Sequence, residues 1–183
     1  MPLPPLVAFA LVTGLAASLA GRNEIRMSPR PILLTRGFAS YLSYACLVVV
    51  PVSVYFYIFH GDWFLLYTID VNRIPSAVAL VGFLAQAGLG AMGFLLGAAL
   101  VRNQRETIVA VMTGVVFLAG AIVTLANTER LSQVGSHVQF HGQFGLAAYE
   151  DGSLMTGALA MGGIALVGLG FLLTRLWMSG RSR

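Results

Sequence analysis

The chain has 183 residues, of which 57% are hydrophobic and only 10% are charged. Its mean hydropathy is +0.82. Soluble domains carry about 25% charged residues, so this composition excludes an ordinary soluble domain and predicts an integral membrane protein. The length fits one compact helical domain over residues 1–183.

Five apolar stretches lie along the chain, and none contains Asp, Glu, Lys, Arg or His. They cover residues 3–20, 38–59, 76–101, 108–126 and 154–173. A helix of about 20 apolar residues crosses a bilayer core. The stretches are continuous and rich in Leu, Ala and Gly rather than alternating, which favours helices over strands. The sequence therefore predicts an all-α, polytopic transmembrane helical bundle with five spans.

The arginines predict its orientation. All eleven basic residues are Arg, and with five spans nine of them fall on one side: Arg22, Arg26, Arg30, Arg36, Arg102, Arg105, Arg175, Arg181 and Arg183. The other side holds only Arg73 and Arg130, together with five of the seven acidic residues. The positive-inside rule then places the N-terminus outside and the C-terminus in the cytoplasm. The net charge of +4 therefore reflects topology and contact with anionic lipids rather than nucleic-acid binding.

The first span has one alternative interpretation, a cleaved signal peptide, because Ser18-Leu19-Ala20 is similar to a cleavage site. The positively charged region that precedes such a signal is missing, and cleavage would export the arginine-rich residues 22–36. We therefore expect the span to be retained. The compact chain without organelle signals predicts the bacterial cytoplasmic (inner) membrane.

Small residues in four spans indicate close helix contacts, because helices in lipid associate where backbones approach. The candidate packing motifs are Gly93-xxx-Gly97, Ala158-xxx-Gly162, Ala110-xxx-Gly114 and Ala10-xxx-Gly14-xxx-Ser18. They either pack within the bundle or present a face to a partner membrane protein or a second copy.

The second span has no glycine between residues 38 and 59 but contains Pro51. Pro51 is expected to kink the helix, with Ser53 or a neighbouring helix satisfying the carbonyl that it frees. Cys46 is expected to be a small core residue.

Two outer segments, residues 60–75 and 127–153, are longer than plain turns and hold the candidate site residues. Asp70 and Arg73 have the i,i+3 spacing of a helical pair. His137 and His141 have zinc-like spacing on a helix, but the residues between them alternate as in a strand, which would hold them about 13 Å apart. No metal site is predicted.

No nucleotide-binding loop, nucleophile elbow or Cys-x-x-Cys motif occurs, and no cofactor is indicated. Gln86 is the one strongly polar residue near mid-membrane, expected to make an interhelical hydrogen bond. The leading hypothesis is a non-catalytic subunit, scaffold or assembly factor of a membrane complex. The alternatives are a membrane enzyme or lipid-binding protein with a site at the outer interface, or a small-solute channel or carrier.

Overall fold

A computed structural model of the chain describes residues 5–53, 76–126 and 151–180. Every regular element in these ranges is helical, so the predicted all-α class is confirmed. The α-helices are α1 (Pro5–Ala20), α2 (Arg22–Met27), α3 (Arg36–Tyr44), α4 (Ser76–Arg102), α5 (Glu106–Ala126) and α6 (Asp151–Ser179). A 3₁₀ turn at Ile32–Leu34 precedes α3, and a π-helical segment at Ala45–Val49 follows it.

Three of the helices described are long and apolar enough to cross a membrane: Arg36–Ser53, Leu84–Arg102 and Ala160–Ser179. The residues of α1 and α5 whose side chains are described are shorter apolar helices, Val7–Ala20 and Glu106–Ile122. Large apolar side chains on α5 and α6, such as Phe117 and Val167, are exposed. An exposed apolar surface of this kind suits contact with lipid tails rather than with water.

The first helix lies at the centre of the bundle. Its most extensive contacts are with α4, followed by α5, and it also contacts α3 and α6. Ala10, Thr13, Ala17 and Ser18 are completely buried. A helix that is apolar on all sides is suited to this position, because it has no polar face that requires water.

The contact between α1 and α4 is made by glycines. A Cβ atom placed on Gly93 would lie 2.7 Å from the carbonyl oxygen of Leu11, and one on Gly14 would lie 2.7 Å from the amide nitrogen of Phe94. These neighbours are backbone atoms and cannot rotate away. Any larger side chain would therefore force the two helices apart.

The chain accommodates Pro51 by a wide π turn immediately before it. The Val50 N–H donates to the carbonyl of Ala45, five residues earlier. Pro51 has no N–H for the carbonyl of Leu47. The Ser53 hydroxyl donates instead to Val49 over 2.8 Å, so the predicted rescue of the freed carbonyl by Ser53 is wrong. Cys46, in the π turn, is exposed rather than part of the core.

Candidate functional site

The four residues predicted as a possible outer site, Asp70, Arg73, His137 and His141, lie outside the described residues. In residues 5–53, 76–126 and 151–180, no group of three His, Cys, Asp or Glu side chains is placed to hold a metal ion. The candidate sites that the structure describes are therefore elsewhere, in the core, at one end of the bundle and on the surface of α6.

The predicted packing glycines have two kinds of surroundings. Gly93 and Gly97 face α1, where Gly97 lies against the hydroxyl of Ser18. A Cβ atom on Gly114 or Gly162 would meet no atom within 4 Å. Ala158 belongs to α6, and its side chain lies outside the described part of the chain.

Tyr41 is the centre of a buried polar cluster that joins α3 to α1. Its hydroxyl lies 3.0 Å from the Thr13 hydroxyl and 3.2 Å from the Ala10 carbonyl, which Thr13 also approaches to 2.9 Å. Each hydroxyl has one proton, so only two of these three contacts can be hydrogen bonds at the same time. Gly90 of α4 leaves the space that the tyrosine hydroxyl occupies.

The Tyr41 ring also stacks on Phe94 of α4, with centroids 5.5 Å apart. The next tyrosine, Tyr44, donates from its hydroxyl to the Ala165 carbonyl of α6 over 3.1 Å. The two tyrosines of α3 thereby connect three other helices. Besides the Thr13 hydroxyl, their acceptors are the backbone carbonyls of Ala10 and Ala165, which sequence patterns do not mark as hydrogen-bond acceptors.

Gln86 is buried in α4, only 4% exposed, and its Oε1 atom has no hydrogen-bond partner among the described residues. The interhelical hydrogen bond expected of this residue is therefore not made through Oε1. An unpaired buried carbonyl group costs free energy, about 1–3 kcal/mol in mutational data.

The arginines of the described chain gather at one end of the bundle. This arginine end consists of α2, the start of α3, the turn between α4 and α5, and the end of α6. It contains Arg22, Arg26, Arg30, Arg36, Arg102, Arg105 and Arg175. Two short elements of this end, the helix α2 and the 3₁₀ turn, have no strong apolar period that would mark them in the sequence.

Two contacts hold the segment after α1 against the turn between α4 and α5. Arg26 Nη2 lies 2.6 Å from Glu106 Oε1, an ion pair by distance although Glu106 Oε1 lies outside hydrogen-bond geometry. The Arg102 guanidinium donates to the carbonyls of Arg30, over 2.7 Å, and Ser28, over 3.3 Å. The chain segment between α2 and α3 is thereby fixed to the end of α4.

The start of α3 is capped twice. The Thr35 hydroxyl accepts from the Phe38 N–H over 3.2 Å, as an N-cap residue does. Glu24 Oε1 accepts from the Arg36 N–H over 2.9 Å. A carboxylate at a helix N-terminus is favourable because the unpaired N–H groups there carry partial positive charge. Glu24 thus helps to order the arginine end through a backbone N–H, and the described residues show no ion pair between Glu24 and an arginine.

A pocket of about 190 Å³ opens at the arginine end, between α2, the start of α3 and the end of α6. Its polar lining includes Asn23, Glu24, Arg36, Ser40 and Arg175. Neither Arg36 nor Arg175 has an ion-pair or hydrogen-bond partner for its guanidinium among the described side chains. The pocket therefore presents two cationic groups that are available to a ligand.

An apolar groove adjoins this pocket on the surface of α6. It is lined by Phe171, Thr174, Arg175, Met178 and Ser179, and so shares Arg175 and Ser179 with the pocket. The groove runs from the arginine end towards the middle of α6.

The face of α6 that points away from the bundle carries a regular row of mostly small residues, here called the outer seam. Its members are exposed and are spaced alternately by three and four residues: Ala160, Gly163, Val167, Gly170 and Thr174. Ala165, Leu172 and Leu176 lie on the opposite, buried face. Spacing of three and four places residues in one line along a helix, as in helix–helix interfaces.

Comparison of the chain with protein-family models, with curated proteins and with solved structures finds no match. The pocket and the outer seam are the two features of the described chain from which a function can be inferred. The sequence signal for the seam is the alternating spacing of small residues in the last span, which differs from the predicted pair Ala158 and Gly162.

Proposed function

We propose that this protein is a non-catalytic integral membrane protein that acts as a subunit or scaffold of a membrane complex. In this proposal the outer seam of α6 binds one apolar transmembrane helix of a different membrane protein. The observation that carries the proposal is the exposed row of small residues on a membrane-length helix.

The helix α6 is held loosely by its own bundle. Only 17% of the apolar window Ala160–Ser179 is buried, compared with 44% for each of the other two membrane-length helices. A Cβ atom on Gly170 would meet no atom within 4 Å, and the same holds for Gly163. Gly is unfavourable in a helix interior by about 1 kcal/mol relative to Ala. Close approach by another helix is the contact that offsets this cost in lipid.

The position of the seam determines the chemistry of its occupant. All five seam residues lie within the apolar window of α6. The partner segment is therefore a helix at membrane depth with apolar or small side chains at the contact, because unsatisfied polar groups are excluded there. Thr174 already donates its hydroxyl to the Gly170 carbonyl over 2.8 Å, so the seam itself requires no polar partner.

The proposal includes a five-span topology in a bacterial cytoplasmic membrane, with the arginine end in the cytoplasm. The gathering of seven arginines at one end of the described bundle supports it. Maleimide labelling in a Cys46→Ser background tests it, because Cys46 is the single cysteine. Ser28→Cys is expected to react only from the cytoplasm and Ser76→Cys only from outside. Labelling of both from one side would contradict the topology.

Site-specific photocrosslinking in native membranes tests the partner. A photoreactive amino acid at Val167, in the seam, is compared with one at Val115 on α5. The two valines are matched, because they are 74% and 60% exposed and both lie on apolar helices. We expect a discrete crosslinked polypeptide from Val167 and only lipid adducts from Val115.

Dependence on the seam distinguishes this result from chance capture. Gly163→Leu and Gly170→Leu are expected to abolish the Val167 crosslink while Gly114→Leu, on α5, leaves it unchanged. A crosslink that survives the seam variants, or a monomer without any partner in mild detergent, would overturn the proposal. A crosslink between two copies of this chain would replace the heterologous partner by a homo-oligomer.

A further inference from the structure

The polar pocket at the arginine end and the apolar groove on α6 form one continuous surface with two chemistries. The pocket contains two arginines without partners among the described side chains, and the groove is lined mainly by apolar groups. Arg175 and Ser179 belong to both. We propose that this surface binds one anionic phospholipid, with its phosphate between Arg36 and Arg175 and an acyl chain in the groove.

Depth in the membrane supports a lipid as the occupant. Arg36 is the first residue of the membrane-length helix Arg36–Ser53, and Arg175 lies near the end of the membrane-length helix Ala160–Ser179. The pocket therefore lies where two crossing helices meet the headgroup layer. The groove leads from there towards Phe171, deeper along α6. A phosphodiester with an attached acyl chain matches this order of charge and apolar surface.

The charges favour a lipid with net negative charge. Two guanidinium groups and one carboxylate, that of Glu24, line the pocket. The Glu24 carboxylate already accepts the Arg36 N–H, and the lining as a whole is positive. Guanidinium groups bind phosphate oxygens through two parallel hydrogen bonds, which makes arginine well suited to this ligand.

The size of the pocket fits a headgroup rather than a whole ligand. A volume of about 190 Å³ is below the roughly 300–1,000 Å³ of sites that enclose drug-sized molecules. It is enough for a phosphate with part of the glycerol, while the acyl chains lie outside. Asn23 and Ser40 supply further polar groups in the lining.

This inference depends on the helices crossing a bilayer but not on the partner proposed for the outer seam. The outer seam and the groove share Thr174, whereas Gly163 and Gly170 line neither the pocket nor the groove. The variants Gly163→Leu and Gly170→Leu are therefore expected to retain lipid binding while they lose the partner. Failure of one proposal can thus be told apart from failure of the other.

Native mass spectrometry of the full chain, delipidated in detergent, measures binding directly. The probes are dioleoylphosphatidylglycerol, dioleoylphosphatidylcholine and inorganic phosphate. We expect one phosphatidylglycerol to bind at least about tenfold more tightly than phosphatidylcholine, because both lipids carry the phosphate but the two arginines repel the choline cation of phosphatidylcholine. Equal binding of the two lipids would overturn the proposal. Displacement of the lipid by millimolar phosphate would show a free-anion site and would also overturn it.

The double variant Arg36→Gln/Arg175→Gln is expected to weaken phosphatidylglycerol binding by about tenfold or more. The matched control is Arg30→Gln/Arg105→Gln, which removes the same charge from two exposed arginines at the same end that do not line the pocket. The control is expected to change binding by less than about twofold, because it lowers the net positive charge of this end, which salt screens, and leaves the pocket lining unchanged. An equal loss in both double variants would show general electrostatic attraction and overturn the site.

A conservative pair guards against misfolding of the Gln variant. Arg36→Lys/Arg175→Lys keeps both charges but cannot form the two parallel bonds of a guanidinium. It is expected to retain a preference for phosphatidylglycerol over phosphatidylcholine with a lower affinity than the wild type. Loss of the preference in a folded Lys variant, judged by its circular dichroism, would contradict binding of the phosphate by these two side chains.

Discussion

Gly93 of α4 and the glycines Gly163 and Gly170 of α6 occur in similar apolar sequences but have opposite environments. Gly93 lies against the backbone of α1, so that no Cβ atom fits. Gly163 and Gly170 lie on the outer face of α6, where a Cβ atom meets nothing within 4 Å. In α4, Gly93 and Gly97 already serve the contact with α1 that holds the bundle together. In α6, Gly163 and Gly170 leave a surface that no described helix covers, and this difference is the basis of the proposed partner site.

The strongest test of the comparison exchanges glycine for valine in both places. Gly93→Val is expected to destabilise the bundle by about 2–3 kcal/mol, because the added atoms meet the backbone of Leu11. Gly163→Val is expected to change stability by less than about 1 kcal/mol, since it enters open space. Unfolding in mixed micelles by increasing SDS, followed by circular dichroism, measures both. Equal effects would show that the two environments are not distinct.

A smaller effect is expected from the two tyrosine hydroxyls of α3, which join this helix to α1 and to α6. Tyr41→Phe removes the contacts to Thr13 and Ala10 and is expected to cost about 1 kcal/mol, within the range for hydrogen bonds between membrane helices. Tyr44→Phe removes the single bond to Ala165 and is expected to cost less. The same SDS titration applies. A larger loss for Tyr44→Phe would mean that α3 is held more firmly to α6 than to α1.

The third test has the opposite sign. Gln86→Met replaces a buried amide, whose Oε1 has no partner among the described residues, by an apolar side chain of similar length. We expect stability to rise by about 0.5–1 kcal/mol, because the cost of burying an unsatisfied carbonyl is removed. Leu89→Met, on the same helix and partly buried, is the control for the general effect of methionine. A loss of stability in Gln86→Met alone would reveal a polar partner for this side chain.

The smallest effect is expected at the arginine end. Arg26→Gln breaks the ion pair with Glu106, whose two side chains are 43% and 29% exposed. Water and salt screen such a pair, so the expected loss is about 0–1 kcal/mol and should shrink further at high ionic strength. A double-mutant cycle with Glu106→Gln isolates the interaction. A coupling above about 1.5 kcal/mol that is insensitive to salt would indicate a drier contact than the exposed fractions imply.

Much of the helical framework could be predicted from the local sequence of each segment. Uncharged runs of about 20 residues satisfy their backbone groups only as helices in lipid, so α1, α4 and α5 begin and end within about two residues of the predicted spans. The helix α6 extends beyond the predicted fifth span, past residue 173 through Arg175 to Ser179. An arginine in the last turns of a helix extends to the membrane surface and does not end the helix.

The pocket could not be predicted in this way. Its two arginines are separated by more than a hundred residues, and nothing in the local pattern of either marks the other as a neighbour. Glu24 is similar, because its role as a cap for α3 depends on the chain folding back over twelve residues. Such pairings are set by the packing of whole helices, whose relative positions have no local sequence signal.

The distribution of apolar and charged residues along the chain was enough to determine an all-helical protein of membrane composition with its arginines at helix ends, because hydrophobicity and hydrogen-bond satisfaction act locally on each segment. The tertiary structure alone decided which glycines are covered. Gly93 and Gly163 have similar local sequences. Gly93 is a core contact because α1 lies beside α4, whereas Gly163 is an open surface because no described helix lies beside the outer seam.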